Sequence, residues 1–221
     1  MPRAWARGPQ RWKVLVTAGP TREHLDDVRF LSNASTGRMG ILLAREAARR
    51  GAAVTLVLGP SSERRPPGVE IVDVVSTREM LDATREAARG ADLVFFAAAP
   101  SDWRPLRRRK GKPAREGDGF TLALRPTEDV AATLGRRKGK RVHVGFALEV
   151  DGGERRARAK MARKRFDAIV LNTPANFGPG GGEIRWIPRW GETGSLPASS
   201  KRATARAIVS RSLALVSPSA G

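Results

Sequence analysis

The 221-residue sequence is long enough for one ordinary domain with a full hydrophobic core, or for two small ones at most. It contains no Cys, which excludes disulfides, thiolate nucleophiles and cysteine-ligated metals, and its two His leave little for a histidine metal site. The formal net charge of +19 indicates an anionic partner or ligand, although a bias toward Arg, Ala and Gly is also typical of genome base composition.

The apolar runs and the basic N-terminal segment of the sequence bear on its location. No run of 18 apolar residues is present, so we expect no membrane-spanning helix and no membrane partner. The basic segment 1–10 lacks the apolar stretch of a signal peptide. The sequence therefore predicts a cytoplasmic protein, with 1–12 and 217–221 as loose termini of a single domain over 1–221.

Strand and helix patterns alternate along the first half of the chain. Short apolar runs that end in turn residues predict strands, and apolar residues at helical spacing predict helices. The predicted strands are 14–16, 54–58, 71–75 and 93–99, and the predicted helices are 37–50 and 77–89. Repeated strand–helix units predict a doubly wound, mostly parallel Rossmann-like α/β sheet with helices on both faces.

The second half continues this pattern with one small addition. Strands are predicted over 142–147, 168–171 and 184–187, and helices over 155–165 and 201–216. Residues 120–124 alternate between apolar and polar, which predicts a small antiparallel flap, and 180–182 read as a glycine turn. Ligands in such folds bind beyond the carboxyl ends of the strands, which selects 17–40, 97–112, 145–149 and 171–178.

The first of these segments has an unusual connection between strand and helix. The G-x-G-x-x-G turn of dinucleotide-binding folds is missing, and about 17 residues intervene before the helix. Small residues from Ser35 to Gly40 then let the backbone approach an anion, and the helix N-terminus favours phosphate. Ser35 or Thr36 is a candidate cap for that helix. The alternative is plain capping with a glycine turn.

The second segment, 97–112, joins a strand end made of Ala residues to a strongly basic loop. Residues 97–99 are all Ala and offer backbone to a flat ligand, and Asp102 and Trp103 follow. Residues 104–115 contain seven basic residues and no acidic one. This pattern fits a solvated mobile loop, a lid whose cations close over a triphosphate, or a nucleic-acid contact.

Segments 145–149 and 171–178, and the basic helix between them, add candidate binding residues. Phe146 suits either the core or a contact with a nucleobase, and Asn172 suits either a base edge or a turn. Lys160 and Lys164, near the end of the basic helix, either aim ammonium groups at the same pocket or lie on a solvated face.

Five motifs occur in a specific order: TAGPTRE, VRFLSNASTGRMG, AAAPSDWRP, VGFALE, and DAIVLN followed by FG. Across roughly residues 13 to 216, their order and spacing resemble phosphopantothenate–cysteine ligase, also called phosphopantothenoylcysteine synthetase, of coenzyme A biosynthesis. In many bacteria this domain is fused behind a flavin-dependent decarboxylase domain, and the present chain is similar to a stand-alone form.

The resemblance implies a nucleotide-dependent ligase. The carboxylate of 4′-phosphopantothenate attacks the α-phosphate of CTP, or of ATP, and the resulting acyl-nucleotide reacts with the amine of cysteine. It also implies Mg²⁺ with the triphosphate and a homodimer in which the flap, residues 104–124, reaches the neighbouring subunit's site. Positioning and charge stabilisation suffice for this chemistry, in agreement with a chain that lacks Cys.

The resemblance also implies residue roles. Asn33 holds the substrate carboxylate and then the acyl-phosphate, Arg29 shapes that pocket, and Lys110 or Lys112 serves transition-state charge. The remaining implied residues bind nucleotide: Ser35, Gly37, Met39 and Gly40 through the phosphates, and Ala98, Ala99, Asp102, Phe146, Lys160, Lys164 and Asn172 around the rest of the molecule. The metal ligands stay open.

Three departures from the usual motifs leave alternatives open. The loop motif, usually K-I-K-K, is RKGK over 109–112; Pro100 removes a backbone donor from the second motif; and Thr173-Pro174 replaces the usual Asp-Val after Asn172. The choice between CTP and ATP therefore stays open. The alternative functions are a nucleotide-binding protein of changed substrate, a basic nucleic-acid-binding module, and a nicotinamide-dependent reductase, which the absence of Tyr and of G-x-G-x-x-G disfavours.

Overall fold

Parallel strands, most of them followed by helices, form the centre of the molecule. The computed structural model describes residues 12–112, 114, 119, 121–149, 153–172 and 183–216. The strands are β1 (Lys13–Ala18), β2 (Arg22–His24), β3 (Phe30–Ser32), β4 (Ala53–Leu58), β5 (Glu70–Asp73), β6 (Leu93–Phe96), β7 (Trp103–Pro105), β8 (Leu124–Pro126), β9 (Val142–Leu148), β10 (Ala168–Asn172), β11 (Ile184–Pro188) and β12 (Gly194–Leu196). The helices are α1 (Arg38–Arg49), α2 (Thr77–Ala87), α3 (Val130–Gly135), α4 (Gly153–Lys164) and α5 (Lys201–Leu213).

The main sheet has eight strands in the order β12-β11-β10-β9-β6-β1-β4-β5. All neighbours pair in parallel except β10 with β11 and β11 with β12. The six parallel strands therefore end along one side, which we call the carboxyl edge. Two further two-stranded sheets, β2–β3 and β7–β8, stand outside the main sheet.

The core lies in two layers because the strand side chains alternate between two buried faces. In β1, Val14 and Val16 belong to the layer that includes residues of α1 and α5, whereas Leu15 belongs to the layer that includes residues of α2, α3 and α4. The doubly wound, mostly parallel α/β fold predicted from the sequence is confirmed.

The observed elements differ from the predicted ones where they are short. Segment 20–36, predicted as a loop, contains the β2–β3 hairpin, and α3 and β12 were not predicted, because elements of three to six residues show too little periodicity. The predicted strand 93–99 ends at Phe96, with an isolated bridge from Ala99 to Pro20. The flap is present as β7 paired with β8. Its second strand, β8, begins at Leu124, later than the predicted strand over 120–124.

Some predictions fall outside the described residues. They concern the loose termini 1–11 and 217–221, the glycine turn at 180–182, the Thr173-Pro174 departure and Phe120 of the flap. Across the described ranges, no helix is both long and apolar enough to cross a membrane.

Candidate active site

Glycines bring the end of β1 against the start of α1 at the carboxyl edge. Gly19 and Gly37 have φ values of +80° and +79°, which glycine adopts at little cost. A Cβ on Gly37 would lie 3.1 Å from the Gly19 backbone, and a Cβ on Gly40 would lie 2.4 Å from the Cβ of Ala18. The close approach of α1 to β1 therefore depends on the absence of side chains at these positions.

The first turn of α1 presents backbone N–H groups at this edge. The N–H of Gly37 donates to Ser35 Oγ and the N–H of Arg38 donates to Thr36 Oγ1, both at 3.3 Å. The expectation that Ser35 or Thr36 is the N-cap is nevertheless wrong, because the N-cap is Gly37, which has no side chain. The first turn contains no acidic residue and begins with Arg38, so the helix dipole favours an anion here.

Asn33 joins the hairpin to the loop that follows β6. Its Nδ2 donates to the carbonyl oxygens of Ala99 at 3.1 Å and of Pro100 at 2.9 Å. Both amide hydrogens of Asn33 are therefore used within the protein, and its Oδ1 can only accept. To donate to a bound anion, Asn33 has to release one of the two carbonyl groups.

A buried polar cluster holds the hairpin against α2 and the loop after β6. Thr21 Oγ1 lies 2.8 Å from Thr77 Oγ1 and accepts from the Ser101 N–H at 2.9 Å, and Glu23 Oε1 accepts from the Thr77 N–H at 2.7 Å. All four residues are buried. Sequence reasoning assigned no role to these residues, although Thr21 and Glu23 belong to the quoted TAGPTRE motif.

The tip of the hairpin is ordered by a buried carboxylate. Asp26 accepts from the backbone N–H groups of Val28 and Arg29, and its Oδ2 accepts from Arg29 Nε at 2.7 Å. The donation by the Arg29 N–H, helped by the Val28 N–H and the Arg29 guanidinium, lowers the pKa of Asp26 to about 2. Arg29 is therefore held at the tip, four residues and roughly 13 Å of extended chain from Asn33.

Lys110 and Lys112 lie on an exposed loop that contacts this hairpin tip. The Arg109 N–H donates to Leu25 O at 2.8 Å, and Gly111 bonds to Asp27. The structure therefore brings the two lysines to the same end of the hairpin as Arg29, and not to the end where Asn33 lies.

The neighbouring strands contribute Ala98, Ala99, Phe146 and Asn172 at the carboxyl edge. Phe96 pairs with Gly145, so the residues after β6 continue beside Phe146, which is half-buried against the layer under α1. The Ala99 N–H donates to Gly19 O at 2.9 Å. Asn172 ends β10 opposite Leu148, one strand further along.

The two lysines of α4 have partners inside the protein. Lys160 Nζ donates to Phe146 O at 2.7 Å, and burial, followed by the nearby Lys164, lowers the pKa of Lys160. Lys164 Nζ forms a 2.9 Å ion pair with Asp129, the N-cap residue of α3. Lys160 thus reaches the carboxyl edge at Phe146, whereas Lys164 is held at α3.

The described residues suit a metal ion that is held mainly by a bound phosphate ligand. No group of three His, Cys, Asp or Glu side chains capable of holding a metal ion occurs among them. Mg²⁺ commonly takes one or two carboxylates together with substrate phosphates. Asp102, exposed in the loop between β6 and β7, is a carboxylate that can serve in this way.

The predicted site residues form one main group and a separate one. At the carboxyl edge the structure places Asn33, Ser35, Gly37, Met39, Gly40, Ala98, Ala99, Asp102, Phe146, Lys160 and Asn172. Arg29, Lys110 and Lys112 gather at the hairpin tip, and Lys164 pairs with Asp129. The main group offers backbone N–H groups, two amide side chains and one ammonium group, a donor set suited to phosphates and a carboxylate.

Comparisons with known proteins match nearly the whole chain. The family model described as DNA/pantothenate metabolism flavoprotein C-terminal domain matches residues 10–215. The crystal structure of the C-terminal domain of the coenzyme A biosynthesis bifunctional protein CoaBC is 34% identical, with a TM-score of 0.79, and the match covers 91% of this chain and 94% of that one.

Two curated relatives are considerably longer. The chain is 42% identical over 210 residues to a cysteine/cysteine sulfinic acid decarboxylase of an unknown prokaryotic organism, covering 92% of this chain and 58% of the relative. It is 38% identical over 193 residues to the coenzyme A biosynthesis bifunctional protein CoaBC of Bacillus subtilis (strain 168), covering 85% of this chain and 48% of the relative. The chain thus spans about half the length of these relatives.

Proposed function

The chain belongs to the family of the DNA/pantothenate metabolism flavoprotein C-terminal domain, and from this premise we propose that it is a phosphopantothenate–cysteine ligase of coenzyme A biosynthesis. The 34% identity to the C-terminal domain of a bifunctional coenzyme A biosynthesis protein supports this activity, because that match covers almost all of both chains. The decarboxylase named above is a protein of which this chain spans 58%, so that activity is not carried over.

One observation carries the proposal: Asn33 is tied to the start of α1 through the loop after β6. Asn33 bonds to Ala99 O, and the Ala99 N–H donates to Gly19 O. Gly19 in turn lies against Gly37, the N-cap residue of α1. This arrangement brings an amide side chain and helix N–H groups to one place. A carboxylate substrate and the phosphate that it attacks both need such donors within a few ångströms of each other.

The proposed reaction has two transfers. A carboxylate oxygen of 4′-phosphopantothenate bonds to the α-phosphorus of the nucleoside triphosphate, and the bond to the bridging oxygen breaks, releasing pyrophosphate. The amine of cysteine then bonds to the acyl carbon, loses a proton, and displaces the nucleoside monophosphate. No side chain forms a covalent bond in either step, so the protein acts by holding charges in place.

The proposal assigns a binding role to several groups at the carboxyl edge. The N–H groups of Met39 and Gly40 bind phosphate oxygens at the α1 dipole. Asn33 exchanges one of its two carbonyl partners for the acyl-phosphate. Ala98 and Ala99 offer a flat surface to the nucleotide, and Lys160 approaches it from α4.

The nucleotide, the metal and the location stay predictions. CTP is the first candidate and ATP the second, and Mg²⁺ would be carried mainly by the triphosphate, with Asp102 as a candidate carboxylate ligand. We also propose a homodimer, supported by exposed apolar side chains that gather on the hairpin and the flap. The cytoplasmic location stays a prediction as well.

The test is pyrophosphate release by the purified, folded protein. We expect release from CTP or ATP only when both 4′-phosphopantothenate and cysteine are present, and all triphosphates should be compared in parallel. Without cysteine we expect at most one equivalent of pyrophosphate per site, from formation of the acyl-nucleotide. Sustained release without cysteine, or no turnover with any triphosphate, contradicts the proposed ligase. Binding of DNA or RNA with a steep salt dependence, in the absence of turnover, would favour the nucleic-acid alternative instead.

A further inference from the structure

Asp27, at the tip of the β2–β3 hairpin, holds the basic loop that carries Lys110 and Lys112. Its Oδ2 accepts from the Gly111 N–H at 2.7 Å, and its own N–H donates to Gly111 O at 3.2 Å. Its Oδ1 accepts from Arg108 Nη2 at 2.9 Å. Asp27 therefore bonds to this loop through both its backbone and its side chain.

The residue that Asp27 holds lies directly between the two lysines. Gly111 has a φ of +71°, a left-handed conformation that turns the chain between Lys110 and Lys112. Because the Gly111 backbone is held on both its N–H and its carbonyl side, the directions in which the two neighbouring residues leave it are also set. Gly111 also falls within the segment that departs from the usual K-I-K-K motif.

Electrostatics explain why the loop needs such a partner. Residues 104–112 contain six basic residues and no acidic one, so they repel one another and gain little by packing. The Gly111 N–H first, and then the Arg108 guanidinium, lower the pKa of Asp27, so the carboxylate is ionised at neutral pH. A loop with few apolar contacts takes its position from polar contacts of this kind.

The contact contributes to local position more than to global stability. The side chain of Asp27 is 49% exposed and that of Arg108 is 58% exposed, so solvent screens their ion pair. A variant at Asp27 is therefore expected to fold.

We propose that Asp27 is a positioning residue that holds Gly111 and thereby sets where Lys110 and Lys112 lie at the hairpin tip. Within the proposed homodimer, these lysines then serve the phosphate chemistry at the second copy's site. The catalytic part rests on the proposed ligase function, whereas the positioning itself does not. Asp27 touches no reacting atom and acts through the loop.

The positioning is tested without substrate, by amide hydrogen exchange and by trypsin. In the wild type we expect the Gly111 N–H to be protected and the bonds after Arg107 to Lys110 to be cleaved slowly. In Asp27→Ala we expect the exchange and the first cleavage in this loop to be roughly tenfold faster. Asp27→Asn keeps an acceptor for the Gly111 N–H and should restore most of the protection.

The control is Asp73→Ala, which removes an Asp–Arg ion pair of similar exposure, with Arg65, and no loop N–H contact. It should change neither readout. Equal exchange and cleavage in the wild type and in Asp27→Ala would overturn the positioning, whether or not the protein is a ligase.

The catalytic consequence is tested by kinetics on the same variants. We expect Asp27→Ala to lower kcat roughly tenfold, with the KM for nucleotide nearly unchanged, because displaced cations act on the transition state more than on binding. Asp27→Asn should recover most of kcat. A faster-exchanging loop with an unchanged kcat would overturn the catalytic part, whereas a wild type without turnover would refute the proposed function and leave the exchange result standing.

Discussion

The side chain of Asn33 already forms hydrogen bonds within the protein before any ligand binds. Both of its amide hydrogens are bonded to the carbonyl groups of Ala99 and Pro100, so it joins two segments and at the same time stands ready to exchange a partner. Sequence resemblance predicted its importance but not this arrangement. The partners come from a loop 66 residues further along the chain, which no local pattern connects to it.

Replacing Asn33 should lower ligase turnover without preventing nucleotide binding. In Asn33→Ala we expect ligase turnover to fall roughly 100-fold, as when one oxyanion donor is removed, while nucleotide still binds. Because the residue is exposed, unfolding free energy should fall by no more than about 1 kcal/mol. Turnover is measured by pyrophosphate release, nucleotide binding by calorimetry, and the acyl-nucleotide by rapid quench.

Asn33→Asp is the matched variant, since it keeps the shape of Asn33 but replaces the two donors by oxygen that faces the same carbonyl groups. We expect it to be at least as impaired as Asn33→Ala. Unchanged product formation in Asn33→Ala would remove Asn33 from the mechanism.

His143 is a second residue whose environment has a measurable consequence. It is fully buried in β9, its ring packs edge-on against Phe96 with 5.1 Å between the centroids, and neither ring nitrogen has a hydrogen-bond partner among the described residues. Burial, followed by the charges of Lys138 and Arg141, lowers its pKa to about 3. The ring is therefore neutral in the folded protein.

Acid should destabilise the fold through this histidine. Below a pH of about 6.5 the unfolded chain binds a proton at His143 and the folded chain does not, so stability is fully present above that pH and is lost down to about pH 3. We expect a loss of roughly 1.4 kcal/mol per pH unit, best measured between pH 6.5 and 5 by urea unfolding, before carboxylates titrate. His143→Leu should abolish this slope and His24→Ala should keep it; the same slope in His143→Leu would contradict the assignment.

At the level of elements, the sequence predicts the long, periodic parts well. The strands of the parallel sheet and helices α1, α2, α4 and α5 were predicted because their apolar periodicity spans several residues. The β2–β3 hairpin was not, because its strands have three residues each and are held by the Thr21 and Glu23 contacts to α2 rather than by their own pattern. The candidate site was predicted as four segments, but their division between the carboxyl edge and the hairpin tip depends on this hairpin.

The packing of α1 on β1 can be tested at Gly40. A Cβ there would lie 2.4 Å from that of Ala18, so Gly40→Ala should cost about 2–3 kcal/mol through overpacking, the upper part of the usual range, reduced by about 1 kcal/mol of improved helix propensity. We expect a net loss of roughly 1–2 kcal/mol and a raised KM for nucleotide, because the start of α1 moves away from β1. Urea unfolding and steady-state kinetics measure the two effects.

Gly90→Ala is the control for Gly40→Ala, since the nearest atom to its added Cβ is Lys13 Nζ at 3.7 Å. Its stability should change by no more than about 0.5 kcal/mol. Equal stability of the two variants would show that α1 has room to shift, and that the glycine is not needed for the close approach.

For the whole molecule, the positive charge is not concentrated at the candidate site. A cavity of about 650 Å³, away from the carboxyl edge, is lined by Arg85, Arg89, Arg136, Arg137 and Arg141. Arg85 lies in the last turn of α2 and Arg136 is the C-cap residue of α3, where positive charge compensates the helix dipole. Arg141 Nη1 donates to Ala88 O, at the C-cap of α2, at 3.2 Å. The net charge of +19 is therefore a poor guide to where this protein acts.

Exposed apolar side chains are more informative about assembly than charge. Among the described residues, nine large apolar side chains are exposed, and five of them lie on the hairpin, the flap or the loop that follows β7: Val28, Phe30, Trp103, Leu106 and Leu124. The hairpin and the flap also contact each other through β2 and β7. Apolar side chains grouped in this way favour a protein interface, and a second copy of the chain is the occupant that we propose.

The dimer is tested by placing charges on this surface. In the double variant with Trp103→Asp and Leu124→Asp, we expect the dimer to dissociate, because each substitution buries a carboxylate without a partner if the interface forms. Sedimentation velocity over a range of concentrations measures the change. Trp190→Asp is the matched control, since Trp190 is 80% exposed in the turn between β11 and β12 and should leave the dimer intact. A wild type that stays monomeric at all concentrations, or a double variant that stays dimeric, contradicts the proposed interface. If ligase activity is lost together with the dimer while the unfolding free energy of the chain is unchanged, the flap of one subunit contributes to the site of the other.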